Sequence, residues 1–133
     1  MPPTLQAHSV TIGTSQPLEL ARFYSRLLGL PVTTQEGPAP GEPEEAGWAQ
    51  IRPPEDATAL TLNFEYERCY VRPVWPSAPG EQTASQHLDI KVDDLDAAVE
   101  WAVGCGAVLA EFQPQDDVRV LLDPDGHPFC LFL

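Results

Sequence analysis

The sequence predicts an α+β fold built from two strand-and-helix modules in tandem, and three observations carry that expectation. Residues 87–106 repeat in weaker form the pattern of residues 8–29: Leu95 with Leu18, Ala98 with Ala21, Trp101 with Tyr24 and Gly106 with Gly29 all stand 77 residues apart. In each copy an alternating apolar run, which marks a strand, leads into a helix with apolar residues at three- and four-residue spacing, and a glycine closes it. A period this long excludes a solenoid, whose units run to roughly 20–50 residues. The length of 133 residues suits one core but not two independent ones. The chain is therefore expected to form a single domain over residues 1–133, with module one at 5–66, a linker at 67–85 and module two at 86–133.

Taken in order, residues 7–13 read as a strand with Val10 and Ile12 on one face and Ser9 and Thr11 on the other. A helix starts near Pro17, a residue tolerated in a first turn, and turns Leu18, Ala21, Leu28 and one of Phe23 or Tyr24 to the core. Residues 30–34 read as a strand and residues 35–47, rich in Pro, Gly and Glu, as a loop. Two more strands, 48–52 and 59–65, complete the first module. Pro73, Pro76 and Pro79 make the linker extended and poor in hydrogen bonds. The second module reads as strand 86–92, helix 94–105 capped by Asp93 or Asp94, and strands 107–112, 118–122 and 127–132. Residues 123–126, DPDG, form a tight turn with Gly126 at positive φ. Trp101, at the place of Tyr24, is assigned to the core.

Composition narrows the function. Acids outnumber bases 20 to 7 and the formal net charge is −13, so nucleic acid, which is held by lysine and arginine, is excluded as a partner. The acidity favours cationic partners or serves solubility alone. No apolar run approaches the roughly 20 residues that span a bilayer, so no membrane partner is expected. The N-terminus MPPTLQ carries neither a basic nor an apolar segment, so no signal peptide is expected. Cys69, Cys105 and Cys130 are odd in number and lack metal-finger spacing, which suits reduced thiols in the cytoplasm.

The order strand, helix, then three strands, present twice, resembles the vicinal oxygen chelate superfamily of glyoxalase I, bleomycin-resistance proteins and extradiol dioxygenases. The most specific segments are LARFYSRLLGLPV at 20–32, PVWP at 73–76 before QHLDIKVDDLDAAV at 86–99, and LLDPDGHPFCLFL at 121–133. They are similar to the glyoxalase-like subgroup without an assigned reaction. The resemblance implies two βαβββ modules whose mixed sheets curve around a cavity with the helices outside. It also implies a small-molecule ligand and a homodimer.

Strand parity then nominates cavity residues. Leu88, Ile90 and Val92 face the helix, which leaves His87, Asp89 and Lys91 on the cavity side, where a row of polar groups requires solvent. Thr61, Asn63 and Glu65 are the matching set on the fourth strand. The superfamily's metal ligands are histidines and glutamates; by resemblance His87 holds one such place and Cys130 stands where a glutamate is expected. His8 shares parity with Val10 and Ile12, so Ser9 takes the cavity place on the first strand unless a bulge shifts the register. That set offers one good nitrogen ligand, His87, and a thiol poorly matched to hard ions. No cofactor is therefore expected, with a divalent metal on His87 as the alternative. Trp48 and Trp75 are candidates to stack on a ligand at the cavity rim or to pack, and His127 is assigned a structural or hydrogen-bonding role.

Two functions remain open. One is a metal-independent enzyme of lyase or isomerase type, with His87 and Glu65 as catalytic candidates, Asp89 tuning His87, and Ser9, Thr11, Trp48, Asn63, Trp75, Asp89 and Cys130 binding substrate. The other is sequestration of a cationic or aromatic compound without turnover, as in bleomycin resistance. A metal-dependent glyoxalase or dioxygenase and thiol chemistry at Cys130 are lesser alternatives.

Overall fold

A computed structural model describes all residues, Met1–Leu133. The chain divides into two compact units, Met1–Arg68 and Cys69–Leu133. Each carries one helix and one four-stranded mixed sheet. The observed strand, helix, three-strand order occurs twice, and neither sheet closes into a barrel.

In the first unit β1 (Ser9–Thr14) leads to α1 (Pro17–Leu28), followed by β2 (Thr34–Glu36), β3 (Trp48–Ile51) and β4 (Thr61–Tyr66), with sheet order β1-β4-β3-β2. β1 and β4 are parallel, and the ladder runs without interruption from Ser9 opposite Thr61 to Thr14 opposite Tyr66. No bulge therefore shifts His8 inward. Pro17 opens α1, where its missing N–H costs nothing, and Gly29 closes it at φ 67° with its N–H on the Ser25 carbonyl. The helix packs on β3 and β4. Phe23 and Tyr24 are both fully buried, together with Leu20, Ala21, Ala49, Ile51, Leu62 and Phe64. Tyr24 stacks on Phe64 with ring centroids 5.7 Å apart and meets the Phe23 ring edge-on at 4.9 Å. Leu18 and Leu28 are only half-buried.

The strand expected at 30–34 is displaced to Thr34–Glu36. Pro31 cannot donate to a ladder, and pairing begins only where Thr33 N–H reaches the Gln50 carbonyl at 2.8 Å.

The second unit contains β5 (Asp89–Lys91), α2 (Leu95–Cys105), β6 (Val108–Leu109), β7 (Val118–Leu122) and β8 (Pro128–Phe132), ordered β5-β8-β7-β6. β5 and β6 are shorter than the runs 86–92 and 107–112 read from the sequence. Asp94 caps α2 by accepting from Ala97 N–H at 3.0 Å. Leu121, Phe129 and Leu131 are fully buried with Ala102 of α2.

Trp101 is not core: it is 59% exposed. The reason is a one-residue difference between the copies. α1 has 12 residues and α2 has 11, although their closing glycines keep the 77-residue spacing. Leu95 thus takes the place of Pro17, and the buried face of α2 runs through Ala98, Ala102 and Cys105, with Trp101 to one side of that row.

Residues 69–85 form no helix or strand, yet they are anchored within the second unit. Tyr70 Oη donates to the Asp125 carbonyl at 2.6 Å and Arg72 Nη1 to the Pro124 carbonyl at 3.3 Å. Both acceptors lie in the turn between β7 and β8. Gly126 sits there at φ 92°, and a Cβ on it would lie 2.5 Å from Arg72 Cγ. Backbone conformation and the overlying arginine both require glycine.

Candidate functional site

The second sheet gathers its reactive groups on the face away from α2. β5 runs parallel to β8 with Asp89 opposite Cys130 and Lys91 opposite Phe132, and residues paired across a ladder share a face. The pairing extends to Leu88, whose carbonyl accepts from Cys130 N–H at 2.9 Å. His87 therefore stands on the same side as Asp89 and Cys130, while Ile90, Phe129 and Leu131 point toward α2.

His87 Nε2 lies 3.2 Å from Asp89 Oδ1. One ligand atom from each of His87, Asp89 and Cys130 lies within 4.8 Å of the others. These three residues line a cavity of about 370 Å³, whose remaining wall combines Gln115 and Asp117 with the apolar Val118, Phe132 and Leu133. The His87 and Asp89 side chains are 47% and 61% exposed, so solvent reaches the pair and its charge contributes little to stability. Burial raises the Cys130 thiol above its ordinary pKa, and the charge of Asp89 and a hydrogen bond to it push in the same direction. Cys130 is thus held as the thiol near neutral pH, a poor nucleophile.

Asp89 disfavours the thiolate, so Asp89→Asn lowers the Cys130 pKa and raises its alkylation rate at mildly alkaline pH, as peptide-resolved mass spectrometry after a short iodoacetamide pulse will show. An unchanged rate sinks the assignment of Asp89 as the controlling charge.

Gln115 and Asp117, which line the pocket, were not nominated by the sequence, where they fall between the strands read at 107–112 and 118–122. The signal was present in the DPDG hairpin. Counting outward from that turn pairs Val118 with Phe132 and Val120 with Cys130, which brings residues 115–117 to the end of β8.

The candidates in the first unit form a different arrangement. Thr11, Asn63 and Gln50 lie side by side on β1, β4 and β3. Asn63 Nδ2 donates to Thr11 Oγ1 at 3.4 Å and Gln50 Nε2 donates to Asn63 Oδ1 at 2.9 Å. Gln50 is an addition to the sequence reading. Trp48 stands opposite Glu65, which is exposed. Ser9 is exposed, with its hydroxyl 3.2 Å from Nδ1 of the exposed His8. In the second unit Trp75 packs against Phe112, ring centroids 6.3 Å apart, and its indole N–H donates to the Phe112 carbonyl at 3.4 Å.

His127 is tied to the β7–β8 turn. Asp123, 1% exposed, accepts from the backbone N–H groups of Asp125 at 2.9 Å and His127 at 3.0 Å. Its other oxygen is 2.9 Å from His127 Nδ1. Tyr70 Oη lies 3.4 Å from His127 Nε2. Burial first, then the charges of Asp125 and Asp123, raise the Tyr70 pKa above the ordinary tyrosine range, with Arg72 opposing.

Two mixed-sheet βαβββ units, one with a polar pocket on its helix-free face, define the vicinal oxygen chelate class of fold. The chain belongs to the glyoxalase-like domain family, whose sequence pattern matches residues 9–132. Solved structures agree on the fold. A glyoxalase family protein from Enterococcus faecalis is 21% identical with a TM-score of 0.66, covering 96% of this chain and 97% of that one. The fosfomycin resistance protein FosX from Listeria monocytogenes, crystallised with Mn(II) and 1S,2S-dihydroxypropylphosphonic acid, is 11% identical with a TM-score of 0.68, covering 96% of this chain and 90% of that one. The trypanothione-dependent glyoxalase I of Leishmania major is 18% identical with a TM-score of 0.64, covering 97% and 86%. No curated protein sequence matches the chain.

A metal of the hard kind carried by the Listeria protein fits the present residues poorly. Manganese prefers carboxylate, carbonyl and water oxygens, and of the three donors clustered in this pocket only Asp89 supplies one.

Proposed function

We propose that the protein binds a small organic molecule in the second-unit pocket and, as a lyase- or isomerase-type enzyme, moves a proton to or from it through His87. The observation that carries this reading is the His87 Nε2 to Asp89 Oδ1 contact of 3.2 Å on the wall of a cavity of about 370 Å³, a size typical of small-ligand sites. Asp89 orients the ring by its contact with Nε2, which leaves Nδ1 to face the ligand. An imidazole so placed takes a proton from carbon next to a carbonyl, or returns one to a leaving oxygen, near neutral pH and without a metal. Asp117 and Gln115 supply polar contacts to the ligand, and Val118 and Phe132 supply its apolar bed. In this reading the chain works as one domain of two modules and pairs with a second copy, in a reducing compartment where Cys130 stays a thiol.

The test is a turnover screen of carbonyl, epoxide and hydroxy-acid compounds with the chelator-treated protein. His87→Ala is expected to lower the rate by about 10²-fold or more, the usual contribution of a positioned proton-transfer group. A screen hit whose rate is unaffected by His87→Ala overturns the assignment.

A second reading rests on a specific feature of the same pocket. Asp89 and Asp117 beside Val118 and Phe132 suit a cation with an apolar or aromatic body, held without turnover. Calorimetry on such compounds distinguishes the two, since sequestration gives binding that Asp117→Asn weakens and no product.

A further inference from the structure

We infer that the flank of α2 beside β6 is a docking surface for a basic amphipathic helix of another protein. This flank lies on the helix-bearing side of the second sheet, opposite the pocket, so its role neither rests on the proposed reaction nor competes with it.

The duplication shows what is unusual there. In α1, Glu19, Arg22 and Arg26 form one stripe at three- and four-residue spacing, all three are exposed, and Arg22 pairs with Glu19 at 2.6 Å. The same stripe of α2, 77 residues on, reads Asp96, Val99 and Val103, so both arginines have given way to valine. The edge strands differ in the same sense. β2 carries the exposed Thr34, Gln35 and Glu36 at the edge of the first sheet, whereas β6 carries Val108 and Leu109 at the edge of the second. Val103 is 47% exposed and Leu109 43%. Contact with water alone favours the polar version of such a flank, and the first module shows that this fold accepts it.

The two valines and Leu109 belong to one strip. Leu109 pairs with Leu121 and Leu121 with Phe129, so Leu109 stands on the side of the sheet that carries α2. β5 and β6 run in the same direction within the sheet, and α2 crosses between them. With the right-handed turn that such connections take, Val99 and Val103 fall one helical turn apart on the flank of α2 nearer β6, and α2 packs against that strand.

Charge identifies the occupant. Between Lys91 and Arg119 the chain has seven carboxylates and no lysine or arginine. Asp96, Glu100 and Glu111, all exposed, lie on or next to the elements that form the strip. Val99, Val103 and Leu109 suit the apolar stripe of a helix, and the surrounding acids suit lysines and arginines that flank such a stripe. A second copy is disfavoured, because a two-fold interface sets Asp96, Glu100 and Glu111 against their own counterparts with no base to neutralise them. The same acids repel an anionic lipid surface.

The experiment uses the full chain and synthetic peptides of about five helical turns, roughly 18 residues. One arranges leucine and lysine as an amphipathic helix, a second scrambles the same residues, and a third has glutamate for lysine. Calorimetry should give one leucine–lysine peptide per chain, bound more weakly as salt rises, and no comparable binding of the other two. Val103→Arg, which installs the residue that α1 carries at that place, and Leu109→Thr should each weaken binding by about 10-fold, a loss typical of an interface anchor. Val71→Arg, at an exposed valine of the connecting segment, should bind as the unaltered chain does. A photo-crosslinking version of the peptide should label residues 96–111. Absence of binding, equal binding of the scrambled peptide, full binding by Val103→Arg, or labelling of residues 115–118 and 130–133 in the pocket overturns the inference. So does a light-scattering mass of two chains that Val103→Arg reduces to one, since a second copy then holds this face.

Discussion

Asp123→Ala is expected to destabilise the protein by about 3–5 kcal/mol, the usual cost of removing one member of a buried pair. Asp123 is the hub of the β7–β8 turn. Its carboxylate satisfies two backbone N–H groups and the His127 ring, and its side chain is fully shielded from water. Alanine leaves those donors without an acceptor in a space that solvent barely enters. Against a typical total stability of about 5–15 kcal/mol, the loss is a large fraction of the whole, and urea denaturation will measure it. Asp123→Asn, which keeps an oxygen to accept from the backbone but loses the charge facing His127, should lose less. Equal losses in the two variants would show that the charge matters and the backbone bonds do not. A loss below 1 kcal/mol in Asp123→Ala would refute the hub role altogether.

Phe64→Ala should cost a similar amount, about 3–5 kcal/mol, for a different reason. Phe64 is fully buried on β4 and stacks on Tyr24 of α1 at 5.7 Å, so truncation removes apolar burial and opens a cavity that the rigid sheet cannot fill. The ring pair contributes about 0.5–1.5 kcal/mol beyond area. Phe64→Leu, which retains most of the volume, should recover more than half of the loss. If Phe64→Leu proves as damaging as Phe64→Ala, ring stacking and not volume holds α1 on its sheet.

Much of this architecture could be read from the sequence because it rests on patterns that local chemistry enforces. The alternating runs around Val10 and Ile90, the proline opening α1, the Asp94 cap and the glycines closing both helices all appear where the residues indicate. Parity alone placed His87, Asp89 and Lys91 on one face, and the resemblance placed Cys130 beside them. The failures share one cause: they depend on small shifts between elements that no periodicity records. Trp101 was misplaced because α2 is one residue shorter than α1, which turns its buried face although the amino-acid matches persist. The displaced β2 depends on where a chain containing Pro31 first reaches Gln50. Gln115 and Asp117 carry no pattern of their own and enter the pocket only through the pairing of β7 with β8.

The residues of the connecting segment illustrate the same point from the other side. Pro73, Pro76 and Pro79 correctly excluded helix and strand, but nothing in their composition reveals that Tyr70 and Arg72 hold the turn that leads into β8. That turn is the start of the strand that bears Cys130.

Lys91 is the only lysine in the chain, and it projects from β5 two residues beyond Asp89 on the pocket side of the sheet. Chemistry aimed at amines thus has a single side-chain target, roughly 7 Å from the Asp89 Cα. The α-amine of Met1 is the other group that amine reagents reach. The fraction of a succinimidyl dye that couples to Lys91 will report on the pocket without an introduced cysteine, and the fraction of protein coupled to a sensor chip through Lys91 will be tethered beside its own binding site, so surface-based screens should capture the chain through a terminal tag instead.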